Sequence, residues 1–174
     1  MNLTAQNNVS TQKILIVHFS WAGNTRKIAE KIHARVGGDL VELKTITPYS
    51  SNYNTVLDQA RKEQSQQARP ALRTCIENIE QYNIIILGYP NWWASIPMPI
   101  ATFLETYDLS GKKIIPFCSH GGGRLGQSVS AIAKLAPDSE VLEPLAVQYD
   151  EGANLDSEID RWLSKNGLVV NRSR

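Results

Sequence analysis

Three runs of nearly unbroken apolar residues govern what this chain can fold into: Lys13-Ile14-Leu15-Ile16-Val17-His18-Phe19, Tyr82-Asn83-Ile84-Ile85-Ile86-Leu87-Gly88 and Lys113-Ile114-Ile115-Pro116-Phe117-Cys118. A strand with one wet face alternates apolar and polar residues. A run without alternation is covered on both faces, the condition of a parallel sheet flanked by helices. Each run leads through a turn into residues at helical spacing: Ile28, Ala29, Ile32 and Val36 after the first, Ile100, Phe103, Leu104 and Tyr107 after the second, Leu125, Val129, Ile132 and Ala133 after the third. Pro97 and Pro99 open the second of these helices and Pro137 ends the third, while Gly37-Gly38 stops the first.

A short strand over Leu40–Leu43 and a last one within 141–148 complete the set, and a closing helix carries Leu155, Ile159, Trp162 and Leu163 on one face up to Gly167. Alternation of strands and helices with right-handed crossovers predicts an α/β fold: a doubly wound, five-stranded parallel sheet of order 2-1-3-4-5 with helices on both faces. Pro116 makes the third apolar run the least regular strand. The long connection 44–81 reads as an extended lead-in and a crossover helix with Tyr53, Val56, Leu57 and Ala60 on one face, not as a second domain. A polar N-terminal tail (1–12), one domain (13–168) and a short C-terminal tail (169–174) divide the 174 residues.

Composition removes several classes of function. Lys and Arg number 18 against 17 Asp and Glu, so no global field recruits nucleic acid or an anionic membrane surface. The apolar runs are too short to span a bilayer, and 1–12 lacks the basic and apolar regions of a secretory signal. Cys75 and Cys118, without CxxC spacing, and three scattered histidines make neither a disulfide framework nor a metal site. The expectation is a soluble, cytoplasmic domain.

In such a sheet a ligand sits beyond the carboxyl ends of the strands. Three loops leave those ends together: 20–25, 89–95 and 119–124. They hold three of the four tryptophans, Trp21, Trp92 and Trp93, where chance would place fewer than one, and also Gly23, Gly121, Gly122 and Gly123. Indoles stack on flat rings, and glycine lets backbone N–H groups approach oxyanions, so the rim suits an aromatic ligand with a phosphate tail. Ser20, Asn24 and Thr25 add side-chain donors at a helix start, where the dipole favours an anion; the same residues equally suit a capped turn. Neither GxxxxGK[ST] nor GxGxxG is present.

Strand-Ser20-Trp21-Ala22-Gly23-Asn24-Thr25 resembles the phosphate loop of flavodoxins, Ser/Thr-x-Thr-Gly-x-Thr, with Ala22 replacing the middle threonine. Gly88-Tyr89-Pro90-Asn91-Trp92-Trp93, running on to Pro97-Met98-Pro99, is similar to a loop of a flavodoxin-like subgroup, and Ser119-His120-Gly121-Gly122-Gly123 resembles its third loop. The resemblance runs from residue 13 to about 165. It implies noncovalent FMN, its phosphate in Ser20, Trp21, Ala22, Gly23, Asn24 and Thr25. Its ring would lie between Pro90, Asn91, Trp92, Trp93 and Ala94 on one side and Ser119, His120, Gly121, Gly122 and Gly123 on the other. Trp92 or Trp93 is the stacking residue, since adjacent tryptophans on an extended loop cannot both face the core. His120 is the candidate proton donor.

This chain departs from electron-carrier flavodoxins in two ways. Those are strongly acidic, whereas this chain is net +1, although eight of its 17 acidic residues fall between Asp138 and Asp160. Carriers also cover the outer flavin face with a tyrosine from the third loop, and here that loop has only His120 and glycines. Both departures point to an FMN-dependent oxidoreductase acting on a quinone or similar small acceptor, with NAD(P)H as possible donor. The alternative is a one-electron carrier that docks on a redox partner protein. A rival from another class is a cysteine-dependent phosphatase, because Cys118 and Arg124 fit C-x5-R. His18 reads as a hydrogen-bonded core residue, Trp162 as core, and Tyr49 and Tyr53 as packing residues of the long connection, with closure over the site as the alternative.

Overall fold

The structure, a computed structural model, describes residues 12–150 and 152–171. Nearly all of the tail expected over 1–12, and the last three residues of the one expected over 169–174, lie outside them. The elements run β1 (Ile14–His18), α1 (Asn24–Val36), β2 (Asp39–Glu42), α2 (Tyr53–Ser65), β3 (Ile84–Pro90), α3 (Met98–Thr106), β4 (Lys113–His120), α4 (Ser128–Leu135), β5 (Glu140–Val141), β6 (Leu145–Gln148) and α5 (Leu155–Lys165). The pairs are parallel and the order is β2-β1-β3-β4-β5, the doubly wound sheet expected of the alternating pattern.

The fifth position is shared. β5 pairs with β4 at Lys113 and Ile114, and β6 pairs with it from Phe117 to His120. Pro116 falls in the gap between these two ladders, so its missing N–H costs the sheet nothing on that side, and the strand remains regular around a proline. The apolar runs are buried on both faces as their composition requires. On one face Leu15, Val17, Ile85, Leu87, Tyr89 and Ile114 meet Ile100, Phe103, Leu104 and Ile132 of α3 and α4. On the other, Ile16, Ile84, Ile86, Ile115 and Phe117 meet Ile28, Ala29 and Ile32 of α1 and Ile159, Trp162 and Leu163 of α5. Each such side chain contributes about 1.5–3 kcal/mol through loss of apolar contact with water.

α4 differs from the expected phase: Ala133 is exposed, and Ser128 and Ile132 face the core. The Tyr89 hydroxyl donates to Ser128 Oγ at 2.9 Å, and this buried bond sets the helix's rotation. Leu125 lies in the turn before the helix. Among the described residues, no helix is long and apolar enough to cross a membrane.

His18, at the end of β1, is 2% exposed, yet neither ring nitrogen has a hydrogen-bond partner. That corrects the expectation of a bonded core histidine. Glu42 Oε1 stands 4.0 Å from Nε2, and its carboxylate is taken by Arg26 at 2.6 Å and Lys44 at 3.2 Å. Burial pushes the His18 pKa down to about 4; Glu42 pulls it up, and Arg26 and Lys44 push it lower. The unfolded chain therefore binds this proton more readily, and His18 makes stability fall as pH drops from about 6.5 to about 4, by up to roughly 3 kcal/mol. Urea midpoints of wild type and His18→Leu, compared across that window, should show the wild type losing more; equal losses would contradict this.

Candidate functional site

Gly23 caps α1 at φ 95°, a backbone that other residues rarely adopt, and no side chain caps the helix. Ser20 Oγ instead accepts the Gly23 N–H at 3.1 Å. The first N–H groups of α1, those of Asn24, Thr25 and Arg26, have no carbonyl within the helix to bond and open toward the loop. No side chain caps this turn, so its free N–H groups and the helix dipole suit an anion. Not every expected donor faces it. Thr25 is buried, its hydroxyl 2.8 Å from Ser119 Oγ, and the Arg26 guanidinium turns to Glu42.

The second loop is not extended. Trp92 and Ser95 exchange backbone hydrogen bonds at 3.1 and 3.2 Å, and the two residues between them, Trp93 and Ala94, sit at φ 53° and 61°. This is a tight hairpin turn of the kind that usually carries Asn-Gly; placing L side chains there costs about 1–2 kcal/mol each. The surroundings hold it. Trp93 Nε1 donates to the Leu57 carbonyl at 2.9 Å, Gln64 Nε2 donates to the Trp93 carbonyl at 3.2 Å, and the Gln127 N–H donates to the Ala94 carbonyl at 2.7 Å. Gly126 allows this approach: a Cβ there would lie 2.4 Å from the Ala94 oxygen. The tight turn splits the tryptophan pair as expected. Trp92 packs edge-on against Phe19 and Tyr49, whereas Trp93 is 42% exposed with the Arg61 guanidinium 5.1 Å from its ring centre.

β4 continues two residues past Cys118, so Ser119 and His120 are strand residues rather than loop. The Ser119 carbonyl accepts the Asn91 N–H at 2.8 Å, and Asn91 Nδ2 donates to the Arg124 carbonyl at 2.7 Å. His120 Nδ1 accepts the Gly122 N–H at 3.0 Å, an arrangement that puts the proton of the neutral ring on Nε2. Burial lowers its pKa, as does Arg124, with Asp150 opposing.

Trp21, Ala22 and Asn24 from the first loop, Asn91, Trp92 and Trp93 from the second, and Tyr149 line one cavity of about 380 Å³, roofed by Tyr53, Val56, Leu57 and Ala60 of α2. Ser20, at the base of the first loop, lines a larger neighbouring cavity of about 670 Å³ between the tips of β1 and β2, with Phe19, Leu43, Lys44, Tyr49 and Arg73. His120 faces a third, polar cavity of about 450 Å³ with Arg124, Gln148, Asp150 and Glu158. Pro90 is buried at the end of β3, and the glycines of 121–123 form the turn between.

Tyr149 adds a tyrosine that the third loop does not itself supply. Its N–H donates to the His120 carbonyl at 2.8 Å, and a Cβ on Gly121 would lie 3.3 Å from its ring. It comes from the tip of β6, not from the loop following β4. The crossover helix α2 turns the face that carries Tyr53, Val56, Leu57 and Ala60 onto the cavity, so Tyr53 closes over the site, the alternative to plain packing. Trp21 Nε1 donates to the Ser50 carbonyl at 2.9 Å, which ties the lead-in of α2 to the first loop.

The phosphatase arrangement is absent. Cys118 is fully buried inside β4, burial pushes its thiol up to about 12, and α4 begins four residues beyond Arg124. A thiol in that state supplies no thiolate nucleophile.

Residues 13–166 match the model of a flavodoxin family, and the chain belongs to that family. Among solved structures it is similar to a protein from Bacteroides eggerthii DSM 20697 described as a flavoprotein: 35% identity over 87% of this chain and 96% of the other, TM-score 0.77. A second, from Bacteroides uniformis ATCC 8492 and described in the same way, is 26% identical over 88% and 99% of the two chains, TM-score 0.78. The flavoprotein of Lactobacillus acidophilus NCFM, solved in complex with FMN, is 26% identical over 87% and 98%, TM-score 0.70. No protein with a curated description matches the chain.

A disulfide-exchange reagent should titrate one thiol, the exposed Cys75, in the native protein and both after denaturation. Two fast-reacting thiols in the native state would contradict the burial of Cys118.

Proposed function

We propose that this chain binds FMN noncovalently in the cavity between Trp21, Trp92 and Tyr149. There it acts as an FMN-dependent oxidoreductase, drawing on a reduced nicotinamide and delivering to a quinone or similar small acceptor. The observation that carries the reading is an aromatic-lined cavity directly beside an uncapped helix N-terminus. The residues present fit the group. The N–H groups of Asn24, Thr25 and Arg26, with the Ser20 hydroxyl, would hold the phosphate. The indoles and Tyr149 would flank the ring.

FMN, when bound, supplies one- and two-electron chemistry. The chain's residues bind it, orient it and keep water from it. Among the described residues no charged side chain lines the cavity, so its walls disfavour added negative charge on a bound ring. The strained Trp93-Ala94 turn keeps its carbonyls on Gln64 and Gln127, which fixes the Trp93 side chain at the rim. His120, facing the adjacent polar cavity with its proton on Nε2, is placed to pass protons to and from solvent rather than to touch the ring.

The acidic stretch supports an enzyme over a carrier. Asp156 pairs with Lys31 and Arg35, Asp160 with Arg35 and Glu143 with Lys165, so three of its eight acidic residues are met within the molecule, which weakens the field that would steer a basic partner. Tyr149 favours the second reading, a one-electron carrier, because it screens one side of the cavity as a covering tyrosine would.

The purified protein, loaded with FMN, should be yellow with quenched flavin fluorescence, and Trp93→Ala should weaken FMN binding about tenfold, close to the ~1.4 kcal/mol of one aromatic stack. A chain that binds no FMN sinks the reading. Steady-state oxidation of NADPH or NADH with a quinone should proceed without a second protein; turnover only with a partner reductase would select the carrier.

A further inference from the structure

The indole of Trp92 has one side on the proposed ring cavity and continues behind it into an aromatic triangle. Its ring centre is 5.2 Å from that of Tyr49 at 83°, and 5.2 Å from that of Phe19 at 87°; Phe19 and Tyr49 are 5.7 Å apart. The Tyr49 hydroxyl donates to Glu63 Oε2, on the last turn of α2, at 2.7 Å. Burial raises the Tyr49 phenol far above its ordinary range. It also raises the Glu63 carboxyl, with the hydrogen bond from Tyr49 opposing. Such a phenol keeps its proton until it loses an electron, and the carboxylate in contact with it is a better base than one in water.

Plain packing does not require this choice of partner. A half-buried hydroxyl is satisfied as well by a neutral group, as Tyr89 is by Ser128, and burying a carboxylate is costly. Among the described residues, Tyr82 also bonds a carboxylate, Asp39, but contacts no indole; Tyr53 lies 6.2 Å from the Trp21 ring but bonds no carboxylate. Tyr49 combines both features.

We propose that Trp92, Tyr49 and Glu63 form a relay that removes an oxidising equivalent from the cavity wall. When a one-electron oxidant takes an electron from the Trp92 indole, leaving a radical cation that keeps its N–H proton, Tyr49 gives an electron to Trp92 and its phenolic proton passes to the Glu63 carboxylate. Trp92 is restored, Tyr49 becomes a neutral phenoxyl radical and Glu63 a carboxylic acid; one electron and one proton have moved and no other bond has changed. Tyr49 also lines the open cavity between the tips of β1 and β2, and with Glu63 it lines another of about 390 Å³ beside Arg69 and Pro70. A one-electron reductant such as a thiol or an enediol therefore reaches the phenoxyl from the side away from the ring cavity. It returns one electron, and Glu63 gives the proton back. The relay is built from this chain's own residues; its service to a bound flavin rests on the FMN reading above.

Pulse radiolysis of the full chain, with and without FMN, tests it, using azide radical as the oxidant. The indole radical-cation signal should decay as the phenoxyl signal rises, in a first-order process independent of protein concentration. Tyr49→Phe and Trp92→Phe should abolish that rise, and Tyr82→Phe, which removes a carboxylate-bonded phenol remote from any indole, should leave it unchanged. Glu63→Gln keeps an acceptor but no base, and should slow it by roughly a hundredfold. Circular dichroism establishes that each variant is folded, and Glu63→Gln and Tyr49→Phe decide the matter if Trp92→Phe is not. A rise that survives in Tyr49→Phe, or that keeps its wild-type rate in Glu63→Gln, overturns the relay. The flavin-free measurement stays readable if FMN does not bind, and a negative result there leaves the FMN reading untouched.

Discussion

Ser119 joins the three strand-tip loops. Its hydroxyl lies 2.8 Å from that of Thr25 at the start of α1, and its carbonyl accepts the Asn91 N–H at the start of the tryptophan turn. Both bonds depend on β4 running in register with β3 up to the Pro90–Ser119 pair, one residue further than its apolar run. Leaving a buried hydroxyl unpaired is costly, so this junction holds the Gly23 turn before α1 and the aromatic turn at a constant separation. The cavity between them is a consequence of that separation and of the shared register of β1, β3 and β4.

Around the junction the site is kept rigid at some cost. Trp93 and Ala94 occupy the left-handed region, and the strain is offset by hydrogen bonds from α2, from Gln127 and through the close approach that Gly126 permits. α2 is thereby attached to the site more than to the sheet. Val56 and Ala60 are its buried residues, and its polar bonds run to the second loop and to Tyr49. A helix that serves as topological crossover thus doubles as the roof of the cavity, and its Glu63 reaches the aromatic cluster behind the cavity wall.

Much of this was legible in the residues. The unbroken apolar runs demanded strands covered on both faces, and the order of the sheet followed. The clustering of Trp21, Trp92 and Trp93 with glycines located the cavity's rim. What was hidden depended on contacts distant in sequence. Tyr149 reaches the site because β6 pairs with β4 beyond a break at 142–144, and a strand of four residues with mixed burial gives little periodic signal. The tight turn at Trp93-Ala94 lacks the Asn-Gly pair that would announce it, since tertiary hydrogen bonds rather than local preference hold it. Ser119 and His120 read as loop because polar residues in a strand tip look like the turn that follows. His18 reads as bonded because a histidine inside a buried strand ordinarily finds a partner, but the carboxylate beside it, that of Glu42, is occupied by Arg26 and Lys44.

The central claim is a place as much as a ligand: riboflavin phosphate with its anion on the bare amides of α1 and its ring among Trp21, Trp92, Trp93 and Tyr149. A crystal structure of the chain grown with FMN tests this most directly. The account predicts phosphate density at the N–H groups of Asn24–Arg26 and ring density under α2. Ring density in the Phe19, Leu43 and Arg73 cavity, or in the polar cavity of His120 and Asp150, would contradict it.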